Sequence, residues 1–180
     1  THRMHETGES DAELMRRAAA GDREAFAAVY RRHAGAVYRF ARLMTGSATL
    51  AEDIVHEVFL GLLRAAARYD ATRSSLTTYL YGAARHRTRR HLQRQRRYVA
   101  LESVHRSLRT LSAENARDLQ AAREDDVERL RKAILSLPSR YREVIVLCEL
   151  QQLSYADAAA AIGCAVGTIR SRLHRARQLL

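Results

Sequence analysis

At 180 residues the chain has room for one ordinary domain or two small ones, which excludes a large multidomain enzyme. Its 31 Lys and Arg outweigh 20 Asp and Glu for a net charge of +11, and such an excess points to a polyanionic partner, either nucleic acid or an anionic membrane face. Eight Gly, one Pro and no Trp leave too few turn residues and aromatics for an all-β fold, so the abundance of Ala, Leu and Arg predicts an all-α one.

In chain order, Thr1 to Arg3, ahead of Met4, are expected to be a cloning remnant, and residues 1–24 read as an N-terminal extension without the apolar core of a signal peptide. Ala25, Phe26, Val29, Tyr30, Val37, Tyr38, Phe40, Ala41 and Leu43 then recur at helical spacing up to Thr45, Gly46 and Ser47, predicting one long helix or two short ones. Thr49-Leu50-Ala51-Glu52 has capping-box spacing, so a new helix is expected from about Leu50. Along it Ile54, Val55, Val58, Phe59, Leu62 and Leu63 form an apolar stripe, which leaves Glu52, Asp53, His56, Glu57 and Leu60 outside. The acids there serve either the helix dipole or a protein interface, and exposed Leu60 favours the interface. A polar loop from Tyr69 precedes a helix from about Leu76 to Arg97. That helix holds Tyr79, Tyr81, Arg85, Arg87, Arg89, Arg90, Arg94, Arg96 and Arg97, a pattern suited to unstacked bases and phosphate backbone, although either tyrosine taken alone reads more readily as core.

Charge divides the chain into blocks of +1 (1–68), +7 (69–98), −3 (99–128) and +6 (129–180). The acidic stretch is poor in large apolar residues after Leu111 and reads as a flexible linker between two nucleic-acid-contacting modules, at 25–98 and 129–180. Within the second module, Lys132 is the only lysine; the arginine bias fits bidentate phosphate and base contacts or a codon preference. Leu137-Pro138 ends one helix, and another is expected from Tyr141 to Leu150. Ser154-Tyr155-Ala156-Asp157 caps a short helix that stops at Gly163, and a second begins near Val166, which is the helix-turn-helix pattern. In that second helix Ile169, Leu173 and Ala176 point inward, while Arg170, Ser171, His174, Arg175 and Arg177 form the other face. Cys148 and Cys164 match no disulfide framework or zinc template, so a reduced, cytoplasmic chain with no metal and no cofactor is expected. No apolar run approaches the roughly 18 residues of a membrane span, and no GxxxxGK[ST], HExxH or GxSxG motif suggests catalysis.

From about Ala25 to Leu180 the residues resemble the extracytoplasmic-function sigma factors of bacterial RNA polymerase, members of the sigma-70 family. AEDIVHEVFLGLLR at Ala51 to Arg64 is similar to the region 2.2 signature, and PSRYREVIVLCELQQLSYADAAAAIGCAVGTIRSRLHRARQLL at Pro138 to Leu180 to the region 4 signature. The resemblance implies two small helical domains, region 2 and region 4, in an initiation subunit that docks on core polymerase, melts the −10 promoter element and reads the −35 element. It implies that Asp53, His56, Glu57 and Leu60 face the clamp coiled coil. Tyr69, Asp70, Arg73, Ser74, Ser75, Tyr79, Arg85, Arg89 and Arg90 would serve the −10 DNA, and Thr168, Arg170, Ser171, His174, Arg175 and Arg177 the −35 DNA. Core polymerase, through clamp and flap, promoter DNA and a cognate anti-sigma factor are the implied partners. His56 stands where the family usually has Gln, Leu63 and Tyr79 where Trp is common, and His86 where Asn is frequent. The main alternative is a stand-alone helix-turn-helix regulator, which would leave the acidic helix and the first basic block without a role.

Overall fold

The computed structural model describes residues 9–105 and 121–180, and its secondary structure there is helical throughout. Helix α1 (Asp11–Ala19) lies within the stretch read from sequence as an extension. Ser10 caps it by accepting from the Glu13 amide, and Leu14, Met15 and Ala18 are buried. Its polar side is laced to its neighbour: Arg17 bonds both Glu9 and Asp22, Arg32 bonds Asp11, and the buried His33 ring lies 2.8 Å from Asp11.

One long helix, α2 (Arg23–Thr45), follows. Asp22 caps it through the Glu24 and Ala25 amides, and Ala25, Val29, His33, Val37, Phe40, Ala41 and Met44 are buried along one stripe. It ends at Gly46, whose φ of 76° is the left-handed conformation of a helix stop. A side chain there would also press on Leu135, with a Cβ only 3.3 Å from its methyl group. The cap of α3 (Ala48–Ala65) is Ser47, which accepts from the Leu50 amide, rather than the expected Thr49. Leu63, expected in the buried stripe of α3, is instead 48% exposed, because the stripe has turned toward α2 and α4 through Ile54, Val58 and Leu62.

A 3₁₀ turn (Ala66–Arg68) and a loop lead to α4 (Leu76–His105). This helix continues past Arg97 into the stretch read as linker, and α5 (Ala121–Ser136) begins within its far end; residues 106–120 lie outside the described residues. Pro138 caps α6 (Ser139–Ile145), which passes into a π-helical turn (Val146–Leu150) in place of the single helix expected from Tyr141 to Leu150. Ser154 caps α7 (Tyr155–Ile162) through the Asp157 amide, Gly163 stops it at φ 73°, and α8 (Val166–Leu179) follows.

Helix α2 is the hub, packed against α1, α3 and α4, while α8 packs on α6 and α7. The two halves share one apolar core, because α7 lies along α4 and α5 touches α2. Small side chains let them approach: a Cβ on Gly82 of α4 would stand 3.5 Å from the Ala161 carbonyl of α7. No helix among the described residues is long and apolar enough to cross a membrane.

Candidate nucleic-acid interface

The loop before α4 is shaped by its own polar side chains. Asp70 accepts from the amide and hydroxyl of Thr72, at 2.9 and 2.7 Å, and the Thr72 hydroxyl bond above all holds its carboxyl below the usual range. Ser75 caps α4, its hydroxyl accepting from the Thr78 amide at 3.1 Å, so this oxygen already has a structural partner. Tyr69 donates its hydroxyl to the Ser74 carbonyl and sets its ring edge-on to Tyr79, with centroids 5.9 Å apart; burial pushes its phenol up. Together they form one wall of a cleft of about 630 Å³. Arg68, Arg73 and Arg87 supply its cationic rim, with His86 beside them, and Ala160 and Ala161 of α7 close it on one side. An aromatic pair inside a basic rim can stack a base and hold its phosphate.

Along α4, Arg85, His86, Arg89, Arg90 and Gln93 share a face around a recess of about 290 Å³. His86, Arg89 and Arg90 are exposed, but Arg85 is not. Its side chain is 17% exposed, with Nε 3.1 Å from a carboxylate oxygen of Glu143 on α6, out of line for a hydrogen bond. Tyr81, which the sequence left open between base stacking and core, is core, buried against Phe40. It donates its hydroxyl to Gln151 at 2.8 Å, and burial raises its phenol to about 12.

The outer face of α3 presents Asp53, His56 and Leu60, extended by Leu63 and by Tyr30 of α2, whose ring packs on Phe59. Glu57 is placed differently. It turns toward α4, where His91 lies 2.9 Å and Arg87 3.8 Å from its carboxylate, and the Arg87 guanidinium lies against Gly61, where a side chain would stand.

On α8, Ile169, Leu173 and Ala176 are buried, Thr168 is half-buried, and Arg170, Ser171, His174 and Arg175 are exposed. Ser171 donates its hydroxyl to the Thr168 carbonyl, and His174 lies near Gln178. Arg177 is bonded to Glu149 at 2.5 Å, which raises its pKa and draws it from the open part of the face. The described residues contain no group of three or more His, Cys, Asp or Glu placed to hold a metal. Cys148 is half-buried, and burial pushes its thiol up.

Contacts between the halves had no sequence signal. Thr78 donates its hydroxyl to Asp157 at 3.1 Å, Tyr81 bonds Gln151, and Arg142 donates to the Met44 carbonyl at 2.7 Å. Of the cleft residues, Arg68, His86 and Arg87 were also absent from the candidate −10 set, although each lies on or beside the loop and helix that the basic block picked out.

Comparison with known proteins matches residues 29–98 to Sigma-70 region 2 and residues 127–180 to Sigma-70, region 4. The chain is 35% identical over 175 residues to ECF RNA polymerase sigma factor SigM of Mycobacterium tuberculosis, covering 95% of this chain and 83% of that one. It is 31% identical over 156 residues to ECF RNA polymerase sigma factor SigE of Mycolicibacterium smegmatis, covering 83% of this chain but 58% of that longer relative. Among solved structures it resembles the sigma factor RpoE crystallised with the anti-sigma factor NepR from Bartonella quintana, at a TM-score of 0.68 and 27% identity over 86% of this chain and 92% of that one.

Proposed function

The chain belongs to the sigma-70 family, among its ECF members, and on that premise we propose that it is an alternative sigma factor that brings core RNA polymerase to promoters and opens them. The observation that carries this reading is the presence in one chain of three differently built surfaces: the acidic and apolar face of α3, the aromatic cleft with the cationic stripe of α4, and the exposed basic face of α8. A stand-alone helix-turn-helix regulator needs the last alone.

In this reading Asp53, His56 and Leu60, with Leu63 and Tyr30, dock on the polymerase clamp. Tyr69, Asp70, Arg73, Ser74 and Tyr79 form the pocket for an unstacked −10 base, with Ser75 capping the helix beside it, and Arg89 and Arg90, joined by Arg85 once it leaves Glu143, hold backbone phosphates. Thr168, Arg170, Ser171, His174 and Arg175 meet the −35 major groove, with Arg177 toward the backbone. The second half also engages the flap. In this reading the chain supplies positioning and base capture, the polymerase performs the chemistry, and the site of action is the cytoplasm. A cognate anti-sigma factor is part of the same reading, by analogy with the RpoE complex.

Two promoter elements about 25 base pairs apart lie roughly 85 Å apart at about 3.4 Å per pair. The packed arrangement of α7 on α4 cannot span that distance, so the halves separate on the promoter. The test is run-off transcription with core polymerase on a genomic promoter library, with sedimentation of the chain alone. Start sites that depend on the chain and a monomeric free state support the reading. A dimer that binds a two-fold site and gives no transcription with core polymerase supports the regulator instead.

A further inference from the structure

We propose that Arg87 is a further −10 contact of this chain, the cation that holds a phosphate beside the aromatic cleft, and that Gly61 and Glu57 of α3 are the residues that position it there. The inference rests on the sigma-factor reading above and adds to the same site a contact and the seat that presents it.

Tyr79, Ala83 and Arg87 follow one another at i, i+4 and i+8, so they form one row along α4 that starts from the aromatic pair. Eight residues at about 1.5 Å each set the Arg87 backbone about 12 Å beyond Tyr79, but a helical side chain leans back toward the N-terminus. Arg87 does so: its Nη1 donates to the Ala83 carbonyl at 3.3 Å, which brings the guanidinium to the wall of the cleft that Tyr69, Tyr79 and Ala83 also line. A base stacked on the tyrosines would have a phosphate within reach of it. Helix α3 holds the same guanidinium from behind. One of its nitrogens occupies the space in which a side chain on Gly61 would stand, and Nε lies 3.8 Å from the Glu57 carboxylate. At that distance Glu57 attracts without a hydrogen bond, and its short contact, at 2.9 Å, goes to His91. Arg87 therefore spends one of its five donors on Ala83 and keeps the others for a ligand. Glycine inside a helix is unfavourable relative to alanine, and the room that Gly61 leaves is what admits Arg87. Arg68 and Arg73, on the turn and loop, are exposed, whereas the Arg87 side chain is only 23% exposed. A long side chain fixed before the strand arrives escapes the ordering cost that the exposed pair meets on binding.

The experiment uses holoenzyme, core polymerase saturated with the full chain, and a fluorescein-labelled fragment of a promoter selected by the run-off assay, with its −10 non-template strand left single-stranded. Anisotropy gives the affinity from about 50 to about 200 mM salt. Arg87→Ala should weaken binding about tenfold, the loss of one charge-assisted hydrogen bond, and reduce the slope of log affinity against log salt by about 0.7, the share of one single-strand phosphate. Gly61→Ala alters no charge but pushes the guanidinium off its seat, and should weaken binding about three- to tenfold. In the Arg87→Ala background the space is empty, so Gly61→Ala should then cost no further affinity and should raise the melting temperature. Arg87→Ala that binds as the parent overturns the proposal, and so does a loss of affinity at an unchanged salt slope, which would make Arg87 only a staple between α3 and α4. Additive losses from the two substitutions overturn the seat. If Arg87→Ala fails to fold, Gly61→Ala decides alone, and parental affinity in it overturns the proposal. Failure of the sigma-factor reading is distinct: a parent chain inactive with core polymerase removes the function itself, whereas an active parent beside unchanged variants removes only the contact.

Discussion

Arg170 and Arg175 both project from the solvent side of α8, yet the groove can use them differently. An arginine bidentate to guanine is worth about 1 to 3 kcal/mol of base discrimination, whereas one on phosphate adds affinity without preference. Arg175 neighbours His174 and is expected to be the reader. Arg175→Ala should flatten preference at one or two positions when transcription is measured over all single-base variants of the −35 element. Arg170→Ala should depress every variant alike and lower the salt slope by about one. At the other end of the chain, Asp22 joins two helices through its side chain. The Ala25 amide first, then Arg17, holds its carboxyl below the ordinary value. A depressed folded pKa means that this stabilisation is complete above the unfolded value, near pH 4, and is lost as pH falls through the folded one. Melting temperatures across pH 2 to 7 should therefore show the parent above Asp22→Asn at neutral pH and the gap closing below about pH 4. Cap residues such as Ser154 and Gly163 were legible because a cap is local: the acceptor and the amide it serves lie within three or four residues. Thr49 was misread for the same reason, since Ser47 offers an equivalent hydroxyl two residues earlier and only the chain's path out of Gly46 chooses between them.

Helix α3 shows how packing sorts residues that look alike in sequence. Asp53 and Glu57 both lie off the apolar stripe and carry the same charge, but only Glu57 reaches His91 and Arg87 on α4. Asp53→Lys is expected to weaken core-polymerase binding at an unchanged melting temperature. Glu57→Lys should also lower the melting temperature by a few degrees, because it exchanges a half-exposed ion pair worth about 0.2 to 1 kcal/mol for repulsion. Pull-down with core enzyme beside thermal unfolding reads both; equal melting shifts for the two variants would show that the pairing with α4 carries no stability. Helix α1 escaped the sequence reading on similar grounds. Its apolar residues are only Leu14, Met15 and a few alanines among charges, so its signal is weak until α2 supplies the surface that buries them.

As a whole the molecule packs its two basic halves against each other, with α7 laid on α4. The free chain should accordingly protect neither element well on duplex promoter DNA, since the halves are not held at promoter spacing until polymerase positions them. Footprinting without core enzyme checks this, and full protection of both elements would contradict it. The sequence by itself determined the helical class, the helix-turn-helix with its inward Ile169, Leu173 and Ala176, and the basic character of both halves, because helical period, caps and charge are written within a few neighbouring residues. It also determined the family, through two signatures in the right order. Tertiary structure alone decided that Arg85 meets Glu143, that Tyr81 is buried against Phe40 and bonded to Gln151, and that α7 walls the aromatic cleft. Those pairs join residues about 40 to 80 positions apart whose side chains are locally ordinary, and no neighbouring residue records which distant surface will cover them.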